Sequence, residues 1–265
     1  MRAMVGRFAC GLVAATALAH DLYIMPERFR VSAGETISIA LHNGDAFPES
    51  EASAPVERLR DFSLRTCSAI VPIRDVHIEG RSTIGRVRVP ADGAVMISVH
   101  TIPNLITLDA EDFAAYLKEE GLADAIQWRA LHGASAILSR ERYSKYAVSL
   151  IVSGRPGAQL PGATGHVIEI VPEADPSRLK PGDMLPVRVL FRGAPATNLQ
   201  LESAWSGPAG KGVRVVGRTG ADGRAAVPLS HAGVWRLHTI RMQRCAEPKA
   251  AEWESFWASL TFEIR

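Results

Sequence analysis

The chain has 265 residues, of which 47% are hydrophobic, 22% charged and 6% aromatic. This composition excludes a disordered or collagen-like protein, and the length allows one large hydrophobic core or two of ordinary size. The 30 Lys and Arg residues are balanced by 28 Asp and Glu residues, so a protein that binds nucleic acid by broad phosphate neutralisation is not expected.

The N-terminal residues 1–19 have the layout of a secretory signal peptide. Arg2 and Arg7 form a basic start, residues 8–18 are an apolar stretch, and Ala-Leu-Ala at 17–19 is a small-residue cleavage site. This segment is too short to span a membrane, and no later segment is long and apolar enough to do so. The sequence therefore predicts an exported, periplasmic protein with no transmembrane segment after cleavage. Cleavage would remove two basic residues and no acidic one, leaving a chain that is formally neutral apart from histidine.

Cleavage at this position would make His20 the first residue, with a free α-amino group beside its imidazole. The amine and the ring nitrogen nearer the backbone can chelate one metal ion, whereas an internal histidine lacks the amine. Neutral imidazole is a common ligand for copper, nickel and zinc. The alternative is that cleavage happens to precede a histidine that is solvated at a frayed chain end. The sequence leaves both interpretations open.

Short strands are predicted from residue 21 to about residue 106. In the segment 35–42, Ile37, Ile39 and Leu41 share one face, and smaller or polar residues occupy the other. This alternation is typical of an antiparallel sandwich in which each sheet has one face in water.

A helical insertion is predicted at about 109–142. Asp109 is a good N-cap for a first helix, and Gly121 can end that helix. The segments 122–132 and 134–142 are predicted as further helix. The insertion is expected to pack against the sandwich.

Strand character returns at 146–152, and the Gly- and Pro-rich stretch 153–165 is the best domain boundary. Beyond it, short alternating strands separated by turns continue to the end of the chain. The predicted fold is mainly β. It consists of two immunoglobulin-like antiparallel β-sandwich domains, at 20–155 and 160–265, with the helical insertion between them.

Two cysteines, Cys67 and Cys245, remain after removal of the signal peptide. In an oxidising compartment they can form an inter-domain disulfide, or they can remain as two buried thiols. Their wide separation in sequence does not decide between these alternatives.

Motifs for other chemistries are missing from the sequence. It contains no Gly-x-Ser-x-Gly elbow for a nucleophilic serine and no Cys-x-x-Cys pair. The Gly-rich segment 207–212 lacks the spacing and the final Ser or Thr of a phosphate-binding loop, and it lies between predicted strands. It is predicted to be a hairpin loop.

A metal ion at His20 needs further ligands, and seven other histidines are available. His100 ends a predicted strand on the face opposite its apolar residues. His166 begins the second half of the chain and can face the cleft between the domains. His238 ranks behind these two. The predicted metal ligands are therefore His20, His100 and His166.

Several separated strings of residues carry a family resemblance. They are HDLY at 20–23, FAAYLKEEGL at 113–122, RERYSKY at 140–146, the segment 160–172 ending in EIVP, GADGRA at 220–225 with GVW at 233–235, and WESFWASLTF at 253–262. With these strings in this order, the mature chain resembles a bacterial periplasmic family called domain of unknown function 4198. That family is grouped with proposed periplasmic components of cobalt and nickel transport. The resemblance implies an exported β-sandwich protein that begins with a His-Asp pair and handles a metal.

The chain departs from the pattern of this family at three positions. The family often has Trp where Tyr23 stands, Asp where Gly220 stands, and His-Met where this chain has Arg241 and Met242. If the strand histidine binds a metal in relatives, Arg241 cannot replace it, because a guanidinium has no lone pair to donate.

The predicted function is that of a periplasmic accessory protein, not an enzyme, that binds a nickel, cobalt or copper ion through His20. It would hold the ion for a membrane metal-uptake system or pass the ion to it. The resemblance points to nickel or cobalt, whereas coordination preference alone favours copper. Two alternatives are kept. One is a copper-dependent oxidoreductase with an N-terminal histidine site, and the other is a non-catalytic two-sandwich binding or scaffold protein without a metal.

Overall fold

The computed structural model describes residues 20–89, 93–154 and 159–265. The predicted signal peptide, 1–19, lies outside the described residues, as does part of the predicted domain boundary. In chain order the elements are β1 (Leu22–Pro26), β2 (Arg30–Val31), β3 (Thr36–Asn43), β4 (Leu59–Arg65), β5 (Ile70–Pro72), β6 (Arg74–Glu79), β7 (Ser82–Arg88), β8 (Gly93–Thr101), β9 (Asn104–Leu108), α1 (Ala110–Glu119), α2 (Ala123–Leu131), β10 (Ser139–Ser153), β11 (Ile168–Pro172), β12 (Met184–Phe191), β13 (Ala194–Pro195), β14 (Gln200–Gly207), β15 (Gly210–Arg218), β16 (Arg224–Pro228), β17 (Gly233–Arg244) and β18 (Trp253–Ile264).

The strands form three sheets, named A, B and C. Sheet A has the order β1-β3-β7-β6, and sheet C contains β11, β12, β13 and β16. Sheet B follows the path β15-β14-β17-β18-β10-β8-β4-β5, and β2 and β9 also pair with β10. The pairs of β10 with β18 and with β2 are parallel, and the other pairs between described strands are antiparallel. Sheet B therefore runs through both halves of the chain and joins them at the β10–β18 pair.

Strand β10 contributes side chains to two hydrophobic cores. Ala147 and Ile151 pack with residues of sheet A, whereas Tyr146, Val148 and Leu150 pack with residues of sheet C. Successive side chains of a strand point to opposite faces of its sheet. Sheets A and C therefore cover opposite faces of sheet B at this strand. The predicted mainly β fold with two sandwich cores is confirmed, and the cores share one sheet.

The helical insertion is shorter than predicted. Asp109 caps α1, and its carboxylate accepts a hydrogen bond from a first-turn N–H at 2.9 Å. Gly121 follows the helix with φ of 63°, as expected for a helix C-terminus. The predicted helix at 134–142 is wrong, because β10 begins at Ser139. Strands β9 and β18 pair with the two edges of this segment, and this pairing outweighs its local helical propensity.

Helix α1 packs against the last strand of the chain. Phe113, Tyr116 and Leu117 are buried on one helix face, at the spacing of a single apolar stripe. The ring of Tyr116 stacks on that of Trp257, with ring centroids 5.7 Å apart. This packing places Glu120, at the end of the helix, over the side chains of β17.

Strands β14 and β15 form a hairpin that turns between Gly207 and Gly210, as predicted.

The two cysteines are both free thiols. Cys67 is exposed and Cys245 is buried, so the structure shows neither the disulfide nor a pair of buried thiols. Within the described residues, neither helix has the length and apolarity needed to cross a membrane.

Candidate metal centres

The three predicted metal ligands fall into two separate groups. His20 lies with Asp45 and Glu51, and these residues are called the His20 cluster. His100 and His166 lie with Asp61, and these are called the dihistidine cluster. In each cluster one ligand atom from each residue lies within 4.8 Å of the others. The structure therefore does not place the three predicted histidines around one ion.

Two successive residues of β10 separate the clusters. Lys145 donates from Nζ to the carbonyl oxygen of His20, whereas the ring of Tyr146 stacks on His100 with centroids 5.7 Å apart. Because neighbouring side chains of a strand point in opposite directions, the two clusters lie on opposite faces of sheet B.

The His20 cluster places two carboxylates against one imidazole. Nδ1 of His20 lies 3.0 Å from Oδ2 of Asp45 and 3.5 Å from Oε2 of Glu51. The other oxygen of Glu51 accepts the backbone N–H groups of Asp45 and Ala46, both at 3.0 Å. The Ala46 hydrogen bond has the largest effect on Glu51, and with the Asp45 bond and the charge of His20 it lowers the pKa of Glu51 against the effect of burial.

The loop 44–51, which carries both carboxylates, is closed onto strand β3. The N–H of Glu51 donates to the carbonyl of Asn43 at 3.0 Å. Phe47 is buried at the centre of the loop, with its ring centroid 5.3 Å from that of Tyr23 in β1. The polar loop is therefore held by a buried aromatic contact, which fixes the position of its carboxylates beside His20.

Asp21 is fixed by a buried network of charges directly after His20. Its carboxylate lies 2.6 Å from Nη1 of Arg236 and 2.9 Å from Nδ1 of His238. Arg236 and His238 project from the same face of β17. Arg236 also forms an ion pair with Glu202 at 2.9 Å, and Nε2 of His238 lies 3.2 Å from the carboxylate of Glu120.

Asp21 and His238 are both ionised at neutral pH. Burial opposes ionisation of Asp21, but attraction by Arg236 and His238 outweighs it and holds the pKa of Asp21 well below its ordinary value. Burial also favours neutral His238, but Asp21 and Glu120 outweigh it and raise the pKa of His238 to about 10. Both ring nitrogens of His238 therefore donate hydrogen bonds, and neither offers a lone pair to a metal.

A cavity of about 310 Å³ adjoins the His20 cluster. Asp45 belongs to the cluster and also lines the cavity, whose wall includes Glu119, Glu120, Glu202 and Arg236. A recess with this excess of carboxylates raises the local concentration of cations.

The two histidines of the dihistidine cluster are short of hydrogen-bond partners, and of its three residues His166 is buried, His100 half-buried and Asp61 exposed. The rings of His100 and His166 are 5.6 Å apart between centroids and nearly perpendicular. His166 is 6% exposed, and neither of its ring nitrogens has a hydrogen-bond partner among the described residues. Nδ1 of His100 is also buried without a partner. Each such buried polar atom costs about 1–3 kcal/mol unless a ligand or water satisfies it.

Both imidazoles of this cluster are neutral at neutral pH. Burial, followed by repulsion from His100 and Arg65, lowers the pKa of His166 to about 4. Burial is also the main cause of the lowered pKa of His100, where the positive charges of Arg60 and Arg65 act against the attraction of Asp61. A neutral imidazole has one nitrogen lone pair that can bind a metal.

A β-bulge in β4 brings Asp61 to this cluster. The register of β4 with β8 shifts between Arg60 and Ser63, and Asp61 between them has φ of 53°. Bulges of this kind re-aim a side chain out of regular alternation. Arg65 forms an ion pair with the Asp61 carboxylate and also donates to Oγ of Ser98 at 2.9 Å.

His166 is held by the turn that precedes β11. The Glu169 carboxylate accepts hydrogen bonds from the N–H of Thr164 at 2.7 Å, from its hydroxyl at 2.8 Å, and from the N–H of Gly165 at 3.3 Å. The N–H of His166 donates to the Thr164 hydroxyl at 3.2 Å. These bonds fix the imidazole against His100 and Tyr146, across the predicted cleft between the two halves of the chain.

Sequence analysis does not identify the three carboxylates. Asp45 and Glu51 lie in the acid-rich loop that follows β3. Because β3 is predicted as a strand, the several acidic residues directly after it were the signal that could have identified these two carboxylates. Asp61 gives no such signal. Its position depends on a bulge that strand alternation does not reveal.

Several solved structures have low sequence identity to this chain. The Escherichia coli adhesin FdeC is 14% identical over 94% of this chain and 65% of its own, with a TM-score of 0.26. The Yersinia pseudotuberculosis adhesin InvE is 13% identical over 92% of this chain and 58% of its own, with a TM-score of 0.23. Murine CEACAM1b is 8% identical over 92% of this chain and 99% of its own, with a TM-score of 0.21. The chain thus spans less than two thirds of the length of the two adhesin chains.

No curated protein matches the sequence. The sequence profile of a family described as a domain of unknown function, DUF4198, matches residues 17–243. The matched region contains every residue of the two clusters and the Asp21 network. The chain belongs to the DUF4198 family.

Proposed function

We propose that this protein is an exported, periplasmic accessory protein that binds a nickel, cobalt or copper ion at the His20 cluster. The observation that supports this function is the placement of Asp45 and Glu51 within 3.5 Å of Nδ1 of His20. Removal of residues 1–19 would leave the α-amino group of His20 free. That amine and Nδ1 would close one chelate ring around the ion, and the two carboxylates would complete its coordination.

The donor set fits these metals in charge and in type. Two neutral nitrogens and two ionised carboxylates balance the charge of a divalent ion, and nitrogen ligands favour nickel, cobalt and copper over magnesium or calcium. The amine must lose its proton to bind, so metal uptake would release protons near neutral pH. The bond between His20 and Asp45 would be exchanged for bonds to the ion.

The neighbouring residues pre-organise this chelator. A residue at a chain start is ordinarily mobile, but Asp21 is anchored by Arg236 and His238, and Lys145 holds the carbonyl oxygen of His20. Holding ligands in place before the ion arrives reduces the entropy lost on binding.

The role in uptake rests on the family. The family resemblance of the sequence implies a periplasmic component of cobalt or nickel transport, and on that basis we propose that the protein holds an ion for a membrane uptake system. The side chain of Asp45 is 56% exposed, so a partner could reach the bound ion. No catalytic step is part of this proposal.

The first prediction concerns the affinity of the His20 cluster. The exported protein should begin at His20 by intact-mass analysis, and the metal-free form should bind Ni²⁺ or Co²⁺ in titration calorimetry. Replacement of His20 by Ala, or of Asp45 and Glu51 by Asn and Gln together, should weaken this binding by at least about tenfold. Selective acetylation of the α-amine should also weaken it, because only the amine is lost.

The matched control is His77→Ala. His77 is an exposed imidazole with the carboxylate of Glu79 at 3.7 Å, so its removal should leave affinity unchanged. A mature chain that begins elsewhere, or an unaltered affinity in His20→Ala, would overturn the proposal in favour of the metal-free scaffold. Oxygen consumption with ascorbate by the copper-loaded protein would instead support the oxidoreductase.

A further inference from the structure

We infer that the dihistidine cluster is a second, separate site for a divalent first-row transition-metal ion, with His100, His166 and Asp61 as its protein ligands. It is supported by the spacing of these three side chains and by the unpartnered ring nitrogens of the two histidines. It does not depend on the proposed function of the His20 cluster, which lies on the opposite face of sheet B.

The unpartnered imidazole nitrogens distinguish this cluster from two other histidines that are buried or half-buried, His238 and His42. His238 uses both ring nitrogens in bonds to carboxylates, and Nδ1 of His42 bonds to the carbonyl of Pro48 at 2.9 Å. His166 has no polar partner on either nitrogen among the described residues, although it is almost fully buried. A metal ion would accept the lone pair that the protein leaves unused.

The spacing of the three groups suits a single ion. Their ligand atoms lie within 4.8 Å of one another. Donors bound to one ion at about 2.1 Å can be at most about 4.2 Å apart, so side-chain shifts of less than about 1 Å would bring all three into coordination. The Asp61 side chain is 41% exposed, so it has room for such a shift if it moves away from its ion pair with Arg65.

The chemistry of the donors selects the class of ion. Two neutral imidazoles and one carboxylate suit zinc, nickel, cobalt, iron or copper as divalent ions. Magnesium and calcium prefer sites made of oxygen atoms, and monovalent copper prefers sulfur. Three protein ligands leave at least one position for water or an exchanging ligand.

Arg65 controls the availability of Asp61. Its guanidinium pairs with the Asp61 carboxylate and places a positive charge next to the cluster. An incoming ion must compete with that charge. Replacement of Arg65 by Gln should therefore tighten metal binding, whereas Asp61→Asn should weaken it.

An ion at this position would tie three segments of the chain together. Asp61 comes from β4, His100 from β8, and His166 from the turn just before β11. Binding to the folded state alone raises stability by mass action. The ion should therefore raise the Tm and slow hydrogen exchange of residues 159–168.

The test uses Co²⁺ with the metal-free, full mature chain. Equilibrium dialysis should find two ions per chain in the wild type, and one ion in either His166→Phe or His20→Ala. The visible absorption of Co²⁺ at the dihistidine cluster should persist in His20→Ala and disappear in His166→Phe. His132→Phe is the matched control, because it makes the same change at an exposed histidine that lies outside both clusters and stacks on Trp128.

The outcomes separate the two sites. Loss of the only bound ion in His166→Phe, with no effect of His20→Ala, would support this inference and contradict the proposed function. A second ion that remains in His166→Phe would overturn the inference. If His166→Phe does not fold, the opposite effects of Asp61→Asn and Arg65→Gln decide, and unchanged affinity in both would refute the site.

Discussion

Replacing Asp21 by Asn should lower the free energy of unfolding by about 3–5 kcal/mol at pH 7. The substitution keeps the size of the side chain but removes the negative charge that Arg236 and His238 share. Arg236 is 2% exposed and always charged, so it would remain buried with Glu202 as its one remaining acidic partner. Removing one member of a buried ion network leaves such an uncompensated charge, and this is the main cost.

Urea unfolding followed by circular dichroism would measure this loss. The control is Asp124→Asn, which alters an exposed aspartate in the first turn of α2 and should cost less than about 0.5 kcal/mol. Because Asp21 holds the backbone beside His20, Asp21→Asn should also weaken metal binding at the His20 cluster, but not at the dihistidine cluster. Equal stability of Asp21→Asn and Asp124→Asn would show that the network does not stabilise the fold.

The free energy of unfolding should fall more steeply with pH in the wild type than in His238→Gln, between about pH 6.5 and pH 10. An unfolded histidine has a pKa of about 6.5, whereas that of folded His238 is about 10. In this window the folded chain binds a proton that the unfolded chain has lost. The stabilisation is complete below about pH 6.5 and disappears as the pH rises through 10. The slope difference is at most about 1.4 kcal/mol per pH unit.

Asp21 has the opposite dependence. The folded-state pKa of Asp21 is below its unfolded value of about 3.9, so its stabilisation is present above that pH and is lost in acid. The network therefore contributes most between about pH 4 and pH 6.5. Urea unfolding at pH 6, 7.5 and 9 would compare the wild type with His238→Gln and with the exposed control His77→Gln. Parallel curves for wild type and His238→Gln would contradict the assignment of a charged His238.

Local signals in the sequence predict the elements of this fold well. Alternation in the segment 35–42 predicted β3, Asp109 predicted the start of α1, and the Gly-rich segment 207–212 predicted a hairpin. The segment 139–142 was predicted as helix because its residues tolerate a helix. Its strand conformation depends on pairing with β9 and β18, which lie before and after it in the chain.

For the candidate sites too, local sequence signals identify individual residues, whereas long-range strand pairing decides which of them meet. His20, His100 and His166 are predicted from the ability of imidazole to bind metals, and the position of His166 at the start of the second half allows it to face the cleft between the halves. Which of these histidines share a site depends on the two faces of β10, and this follows from long-range pairing rather than from spacing along the chain. The same holds for Asp61, whose position results from an irregular register between β4 and β8.

The shared strand β10 has a consequence for how the chain is made. Synthesis proceeds from the N-terminus, so β10 is complete long before its parallel neighbour β18, which follows it after the other strands of the second half. Until β18 arrives, β10 has an unpaired backbone edge, and its residues Tyr146, Val148 and Leu150 have no sheet C to cover them. Strand edges with unpaired backbone N–H and C=O groups promote association between chains. The newly made N-terminal half therefore exposes a strand edge and an apolar face that both promote aggregation, and pairing with β18 is what covers the edge.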